Sequence, residues 1–151
     1  MWIIEDSRQQ KGKHKIKHVW WNENGDNVLR CKLPVGDYSI PPSMAIDTKQ
    51  DIKEIAQNMC GPVSEKKRFR EECKLARDIG CKLIFLIEDK HYKTIDDLFG
   101  QKIWLMSKRT IPGDQLATAM HTMSNRYGVR FMFCDPADTA ELINKLLEGK
   151  L

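Results

Sequence analysis

The segment Lys82-Leu83-Ile84-Phe85-Leu86-Ile87 carries five consecutive apolar residues and ends at the acidic pair Glu88-Asp89. A strand whose successive residues are all apolar places apolar side chains on both faces of its sheet. The segment therefore predicts a strand that is covered on both faces in the middle of a sheet. Gly80, just before it, predicts the end of a preceding helix.

Amphipathic helices and further short strands lie on either side of this segment. Apolar residues at helical spacing predict helices over 13–21, 51–59, 65–79, 114–127 and 136–147. Apolar runs between turn residues predict strands over 2–4, 28–33, 35–40, 44–49 and 129–134. The strands over 28–49 are separated only by Pro34, Gly36 and Pro41-Pro42, which predicts a meander. The fold class is therefore α/β, with a mixed central β-sheet flanked by helices.

The composition is that of an ordinary globular protein. Of 151 residues, 41% are hydrophobic and 30% are charged. No run of about 18 apolar residues is present, which argues against a membrane span. The opening Met1-Trp2-Ile3-Ile4-Glu5-Asp6 lacks the basic-then-apolar plan of a secretory signal. We expect an intracellular protein, cytoplasmic or associated with the nucleoid.

The cysteines and histidines argue against a disulfide framework and a zinc site. Five cysteines are scattered without Cys-x-x-Cys spacing, and the four histidines form no ligand pair on a helix face. We expect most of the cysteines to be small buried apolar residues.

The formal net charge of +4 and the pI near 8.8 favour a polyanionic partner only mildly. Basic residues crowd two segments, over 11–18 and 66–70. Each segment is a candidate nucleic-acid surface, and the alternative interpretation is an ordinary solvated face.

Two acidic residues and a lysine stand near the ends of two predicted neighbouring strands. Asp37 follows Gly36, Asp47 comes ten residues later, and Lys49 is two residues beyond Asp47. On adjacent antiparallel strands the two carboxylates can converge. Lys49 would project from the same face as Asp47, because strand side chains alternate with a period of two. Each motif alone is most often a turn or an exposed strand edge, so the hypothesis depends on their spacing together.

Metal-assisted hydrolysis of a phosphodiester can use such a set of groups. Carboxylate oxygens are hard ligands that bind Mg²⁺ or Mn²⁺ and leave positions for water and a phosphate oxygen. A nearby lysine orients the water or stabilises the transition-state charge. The backbone carbonyl of Thr48 is a further candidate metal ligand. Asp6 is a third candidate carboxylate, whose alternative interpretation is a turn or N-cap residue.

The motifs at Leu33-Pro34-Val35-Gly36-Asp37-Tyr38-Ser39-Ile40 and Ile46-Asp47-Thr48-Lys49 resemble those of the XPF-type structure-specific endonucleases. That family is a branch of the PD-(D/E)xK superfamily, and its pattern is Gly-Asp, a variable gap, then Glu-Arg-Lys and a further Asp. Other segments agree in order: Ile3 to Arg8, Arg68-Phe69 with Glu72, Leu83 to Glu88, and Asp114 to Leu147. The resemblance covers nearly the whole chain outside residues 90–112.

The resemblance implies a single nuclease domain over 1–151 with a restriction-endonuclease-like core. It implies Asp37 and Asp47 as metal ligands, Lys49 as the catalytic lysine and Asp6 as an accessory acidic residue. Arg8 and Arg68 would contact DNA. The implied cofactor is Mg²⁺ or Mn²⁺, and the implied substrate is branched, flap or fork DNA with single-strand/double-strand junctions. The implied partner is a second copy of the chain, paired through the stripes of the last two helices, over 114–127 and 136–147.

Three positions depart from the family pattern: Asp47 replaces Glu, Thr48 replaces Arg, and Lys53 replaces Asp. The retained acidic pair and lysine favour an active nuclease. The departures leave open a catalytically weakened or inactive DNA-binding or scaffold module of the same fold. A processing enzyme of different specificity on this scaffold is a third interpretation.

Residues 90–112 are the least regular part of the chain. They predict a short helix near 95–99 and a strand near 103–106. Trp104, Lys108 and Arg109 either belong to an insertion that contacts DNA or cover a sheet edge.

Overall fold

A computed structural model describes residues 1–40 and 44–151; the predicted turn at Pro41-Pro42 lies outside these residues. The main-sheet strands are β1 (Trp2–Asp6), β2 (Asn27–Cys31), β3 (Tyr38–Ile40), β4 (Met44–Lys49), β5 (Lys82–Ile87) and β8 (Arg130–Phe133). Strands β6 (Lys102–Trp104) and β7 (Thr110–Pro112) form a separate hairpin. The helices are α1 (Lys15–Glu23), α2 (Ile52–Cys60), α3 (Val63–Asp78), α4 (Gly113–Tyr127) and α5 (Thr139–Leu147).

Strand β5 lies inside the sheet, between β4 and β8 and parallel to both. Leu83, Phe85 and Ile87 belong to the core on one face of the sheet. Ile84 and Leu86 belong to the core on the other face. The continuous apolar run is thus buried on both sides, as predicted, and the α/β class with a mixed central sheet is confirmed.

The sheet order is β2-β1-β3-β4-β5-β8, which shows that the predicted three-strand meander is wrong. Strand β2 pairs in parallel with β1, whereas β3 pairs antiparallel with both β1 and β4. Helix α1 connects β1 to β2, and a helical crossover returns the chain parallel to the first strand. Only β3 and β4 keep the hairpin relationship that brings Asp37 towards Asp47.

Helices cover both faces of the sheet. Helices α1 and α5 pack on one face, where the Trp21 indole N–H donates to the Ala140 carbonyl at 3.2 Å. Helices α2, α3 and α4 pack on the other face around Phe85. Phe69 and Phe131 lie beside Phe85, with ring centroids 4.6 and 5.3 Å from it. The end of β4 that carries Asp47 and Lys49 therefore lies between two helical layers.

Several boundaries differ locally from the sequence prediction. Helix α3 begins at Val63, directly after Pro62, and residues Pro136–Asp138 form a 3-10 turn before α5. The single strand predicted near 103–106 is the hairpin β6–β7. Its turn includes Lys108 with a φ of 63°.

The apolar stripes of the last two helices are used inside the subunit. Leu116 and Met120 of α4 and Ile143 and Leu147 of α5 are buried in the two cores. The expectation that these stripes pair two copies is therefore wrong for their buried members, and a dimer would have to use other surfaces of these helices.

The cysteines are less buried than expected: Cys60 and Cys73 are buried, Cys81 and Cys134 are half-buried, and Cys31 is exposed. Among the described residues, no helix combines the length and apolar character needed to cross a membrane.

Candidate active site

Asp37 and Asp47 face each other across the β3–β4 pair. Tyr38 is paired with Ile46, the last pair of this ladder, and the Asp37 N–H also donates to the Ile46 carbonyl at 2.8 Å. Asp37 and Asp47 line the same recess at this end of the two strands. The two carboxylates therefore reach the same end of the sheet.

Gly36 allows the chain to enter this arrangement. Its φ is +74°, a conformation that side chains disfavour. A Cβ at this position would lie 2.9 Å from the Ala45 Cβ and 3.3 Å from the Ile46 carbonyl oxygen. The Gly-Asp motif thus combines a left-handed turn with the close backbone approach that places Asp37 over β4.

The Asp37 side chain is fixed by Thr48. Its Oδ2 accepts from the Thr48 N–H at 2.7 Å and from the Thr48 hydroxyl at 3.0 Å. In a β-strand the N–H and C=O of one residue point to the same side. The Thr48 carbonyl therefore faces the side of β4 on which Asp37 lies, where the sequence prediction needs it.

Lys49 lies on the same strand face as Asp47, as the alternation predicts. Its Nζ is 2.8 Å from Asp47 Oδ1 and 5.7 Å from the centroid of the Phe85 ring. Burial disfavours the ammonium, but Asp47, Glu72 and Asp37 outweigh it and raise the pKa of Lys49 above its usual range. Lys49 is therefore a permanent cation at neutral pH.

The carboxylates repel one another in a poorly solvated place. Burial, and then the charge of Asp47, raises the pKa of Asp37 to about 8, against hydrogen bonds from Thr48 that lower it. Burial and Asp47 also raise the pKa of Glu72, whose Oε1 accepts from the Gly36 N–H at 3.0 Å. Glu72 is thus a third acidic group of the site, although the sequence suggested it only as part of a matching helix.

Asp6, Arg8 and Arg68 line a recess on the α3 side that also contains Asp37 and Asp47. Arg8 Nε lies 2.6 Å from Asp6 Oδ2, and its Nη2 donates to the Leu33 carbonyl at 2.8 Å. Arg68 is largely exposed at the rim. The structure thus brings together all the residues that the sequence proposed, with Asp6 holding Arg8.

A second recess, the catalytic recess, opens on the α1 side of the same carboxylates; Lys49 lines it together with His14 and Lys17, whose place in the site the sequence did not predict. Lys17 is buried, 2.9 Å from Glu88 Oε1 and 3.2 Å from His14 Nδ1. Burial and the Lys17 charge lower the pKa of His14 to about 4, so its ring is neutral at neutral pH. The Lys13–His18 segment had suggested only a basic surface; its helical spacing, which places His14 and Lys17 on one face, was the available signal.

The donor set fits a hard divalent cation. Its candidate ligands are all oxygen atoms: the carboxylates of Asp37 and Asp47 and the Thr48 carbonyl. Asp47 Oδ1 is buried and, despite its proximity to Lys49 Nζ, accepts no well-oriented hydrogen bond from the described residues. In the part of the chain that the structure describes, no three His, Cys, Asp or Glu side chains form a cluster able to hold a metal. A cation here would thus be held by two carboxylates and the backbone.

Residues 5–146 match the ERCC4 domain family. The chain belongs to this family. It is a family of structure-specific DNA endonucleases. The resemblance to XPF-type nucleases predicted from the sequence is therefore confirmed. No curated protein sequence matches the chain significantly.

Solved structures of this family share the fold. XPF from Aeropyrum pernix superimposes with a TM-score of 0.70 at 20% identity, covering 99% of this chain and 65% of that one. XPF from Aeropyrum pernix in complex with DNA gives a TM-score of 0.68 at 18% identity, covering 99% and 64%. The chain thus spans about two thirds of the length of these proteins, and the likeness establishes the XPF nuclease fold.

Proposed function

We propose that this chain is a divalent-metal-dependent endonuclease that hydrolyses phosphodiester bonds in branched, flap or fork DNA. The observation that supports it best is the opposed pair of Asp37 and Asp47 with Lys49 beside them. Membership of the ERCC4 domain family favours DNA as the substrate.

Asp37, Asp47 and the Thr48 carbonyl would hold Mg²⁺ or Mn²⁺. The ion, when bound, supplies Lewis-acid chemistry: it polarises a phosphate oxygen and lowers the pKa of water. A cation held by both carboxylates would offset the repulsion that raises the pKa of Asp37, which gives a physical reason for placing two such groups together.

Lys49 would act as a cation rather than as a general base. Its pKa is raised, so it has no free amine at neutral pH with which to accept a proton from water. An ammonium in a poorly solvated site stabilises the negative charge that develops on the phosphoryl oxygens. Arg8 and Arg68 at the α3-side recess would contact neighbouring phosphates.

The family pattern's further Asp has a nearby substitute in this chain. Lys53 points away from the catalytic recess, whereas Glu54 lines that recess and accepts from the Gln50 N–H at 2.7 Å. An acidic group is thus retained one residue later. This observation favours an active enzyme over an inactive scaffold.

The test is cleavage of labelled flap, fork, nicked, Holliday-junction and plain duplex DNA with Mg²⁺ or Mn²⁺. We expect nicking of a branched substrate by the unmodified chain and none by Asp37→Ala. Asp78→Ala, at the exposed end of α3, is the matched control and is expected to cleave normally. Equal cleavage by Asp37→Ala would reject the assignment. Salt-sensitive DNA binding without cleavage under either metal would favour the inactive module instead.

We also propose a homodimer formed through the α4–β8–α5 side of the subunit. Strand β8 is an edge strand, and half-buried apolar side chains lie along it and on both helices, among them Met123, Phe133 and Leu142. Light scattering after size exclusion should give twice the mass of one chain. Met123→Lys should give monomers and Met106→Lys, on the exposed hairpin, should not. A monomeric unmodified chain would reject the dimer.

A further inference from the structure

The hairpin β6–β7 forms one wall of a third, larger recess beside the candidate active site. This hairpin recess has a volume of about 540 Å³ and lies between the hairpin, the start of α2 and the ends of β5 and β8. Its volume is within the range of small-molecule and nucleotide sites. None of the residues assigned to catalysis above lines it.

Aromatic side chains line the hairpin recess. Lys102 and Trp104 share one face of β6 while Ile103, on the other face, is buried in the core. Trp104 is 49% exposed, so part of its ring surface faces solvent. Tyr92 is half-buried beneath the recess, its ring 6.2 Å from that of Phe133. A nucleobase that stacks on such a wall needs both an exposed ring face and a rigid support.

Three lysines and four carboxylates line the hairpin recess. Lys53, Lys90 and Lys102 line it, and none of the three forms an ion pair within the described residues. Lys102 Nζ instead lies 5.5 Å from the centroid of the Trp104 ring.

The acidic groups around the recess are already engaged. Asp89 accepts from the Ile52 N–H at 3.1 Å and from the His91 N–H at 3.0 Å. Glu88 is paired with Lys17. Asp51 and Asp135 accept backbone N–H groups at the starts of α2 and of the 3-10 turn before α5. Hydrogen bonds hold these carboxylates in place without removing their charge, so the groups of the recess that can contact a phosphate are its three lysines.

The hairpin recess adjoins the catalytic recess. Glu88 lines both, and the Gln50-Asp51 peptide connects the wall of one to the wall of the other. The two recesses therefore form a continuous surface along which a DNA strand held at Asp37 and Asp47 can run towards Trp104. In a duplex the base faces are stacked on each other, so only an unpaired base can stack on a protein ring.

We propose that the hairpin recess binds an unpaired nucleotide of the DNA substrate, with its base stacked on Trp104 and its phosphates met by Lys53, Lys90 and Lys102. The inference deepens the proposed function and rests on it for the identity of the ligand as DNA. It makes the hairpin the element that distinguishes an open junction from a plain duplex.

The test is binding without cleavage, by fluorescence anisotropy in EDTA, on a fork with one unpaired arm and on a blunt duplex of equal length. Trp104→Ala should bind the fork about tenfold more weakly, because base–aromatic stacking contributes roughly that factor per base. Its affinity for the duplex, which offers no unpaired base to stack on the ring, should change less than about twofold. Trp104→Phe should retain most of the fork affinity, and Lys102→Ala should reduce the salt dependence of fork binding.

Two matched variants control for unrelated effects: Trp2→Ala, exposed on β1, and Lys82→Ala, at the opposite end of β5 from Glu88. Both should bind the fork normally. A 2-aminopurine placed in the unpaired arm should be quenched by the unmodified chain and not by Trp104→Ala. Unchanged fork binding by Trp104→Ala, or an equal loss on the duplex, would overturn the inference.

Cleavage of the same fork with Mn²⁺ separates this inference from the proposed function. If the unmodified chain cleaves the fork and Trp104→Ala binds the fork as tightly as the unmodified chain, only the nucleotide site is refuted. If the unmodified chain does not cleave but Trp104→Ala loses fork binding, only the nuclease assignment is refuted.

Discussion

Replacing Asp37 with asparagine tests separately what the Asp37–Asp47 carboxylate pair costs in folding stability and what it contributes to cleavage. Both hydrogen bonds from Thr48 go to the same oxygen, Oδ2, so an asparagine carbonyl can accept both. The amide nitrogen then replaces Oδ1, so residue 37 no longer carries a negative charge beside Asp47. We expect Asp37→Asn to abolish cleavage and, without metal, to be more stable than the unmodified chain.

The size and sign of the effect follow from the pKa of Asp37, which burial and Asp47 raise from 3.8 to about 8. The folded chain therefore holds a proton that the unfolded chain has lost, and stability falls as pH rises from about 4 to about 8. At about 1.4 kcal/mol for each pH unit, holding this proton at pH 7 costs the folded chain at most roughly 4 kcal/mol. Partial solvent contact and relaxation about halve this, which leaves roughly 2 kcal/mol, or about 4–8 °C in Tm.

Urea and thermal unfolding in EDTA at pH 5 and pH 7.5 measure the difference. Asp37→Asn should be more stable at pH 7.5, with a smaller advantage at pH 5. Asp89→Asn is the matched control of opposite sign. Burial alone would raise the pKa of Asp89, but hydrogen bonds from His91 and Ile52 outweigh burial, and the pKa of Asp89 is lowered. The charged carboxylate of Asp89 therefore stabilises the fold at pH values above the pKa that Asp89 has in the unfolded chain. An Asp37→Asn protein less stable at pH 7.5, or an advantage that grows at pH 5, would refute the reasoning.

Three further substitutions test the site and its support. Lys49→Gln should lower kcat about a hundredfold or more while DNA binding in EDTA is retained, because it removes the cation beside Asp47; unchanged kcat would contradict its role. Gly36→Ala should lower the free energy of unfolding by about 2 kcal/mol, since its φ is +74° and a Cβ would meet Ala45; Gly25→Ala, with open space around it, should cost less in the same urea titration. Trp21→Ala should cost about 4 kcal/mol by loss of a fully buried ring between α1 and α5; a loss below about 1 kcal/mol would show that the two helices do not depend on it.

The sequence predicted the centre of the sheet better than its edge. The run Leu83–Ile87 is apolar at every position, so burial on both faces was the one arrangement that satisfied it. The position of β2 could not be derived in the same way. Its pairing with β1 depends on how α1 packs against α5, a long-range contact that local periodicity does not record.

The candidate site was predictable where its residues share strands. Lys49 lies on the face of Asp47 because of simple alternation, and Asp37 reaches Asp47 because β3 and β4 form a hairpin. Glu72, His14 and Lys17 come from helices α3 and α1, whose docking is set by the two cores. The hairpin at Trp104 also escaped prediction, since β6 and β7 are three residues each and carry little pattern.

Binding of Mn²⁺ to the unmodified chain, followed by calorimetry and by the electron paramagnetic resonance signal of the free ion, tests the central claim without any substrate. We expect one ion per chain, with binding lost in Asp37→Asn and in Asp47→Asn and retained in Asp89→Asn. Unaltered Mn²⁺ affinity in the Asp37→Asn and Asp47→Asn proteins would contradict the account, because the two opposed carboxylates would then not be the site of the ion.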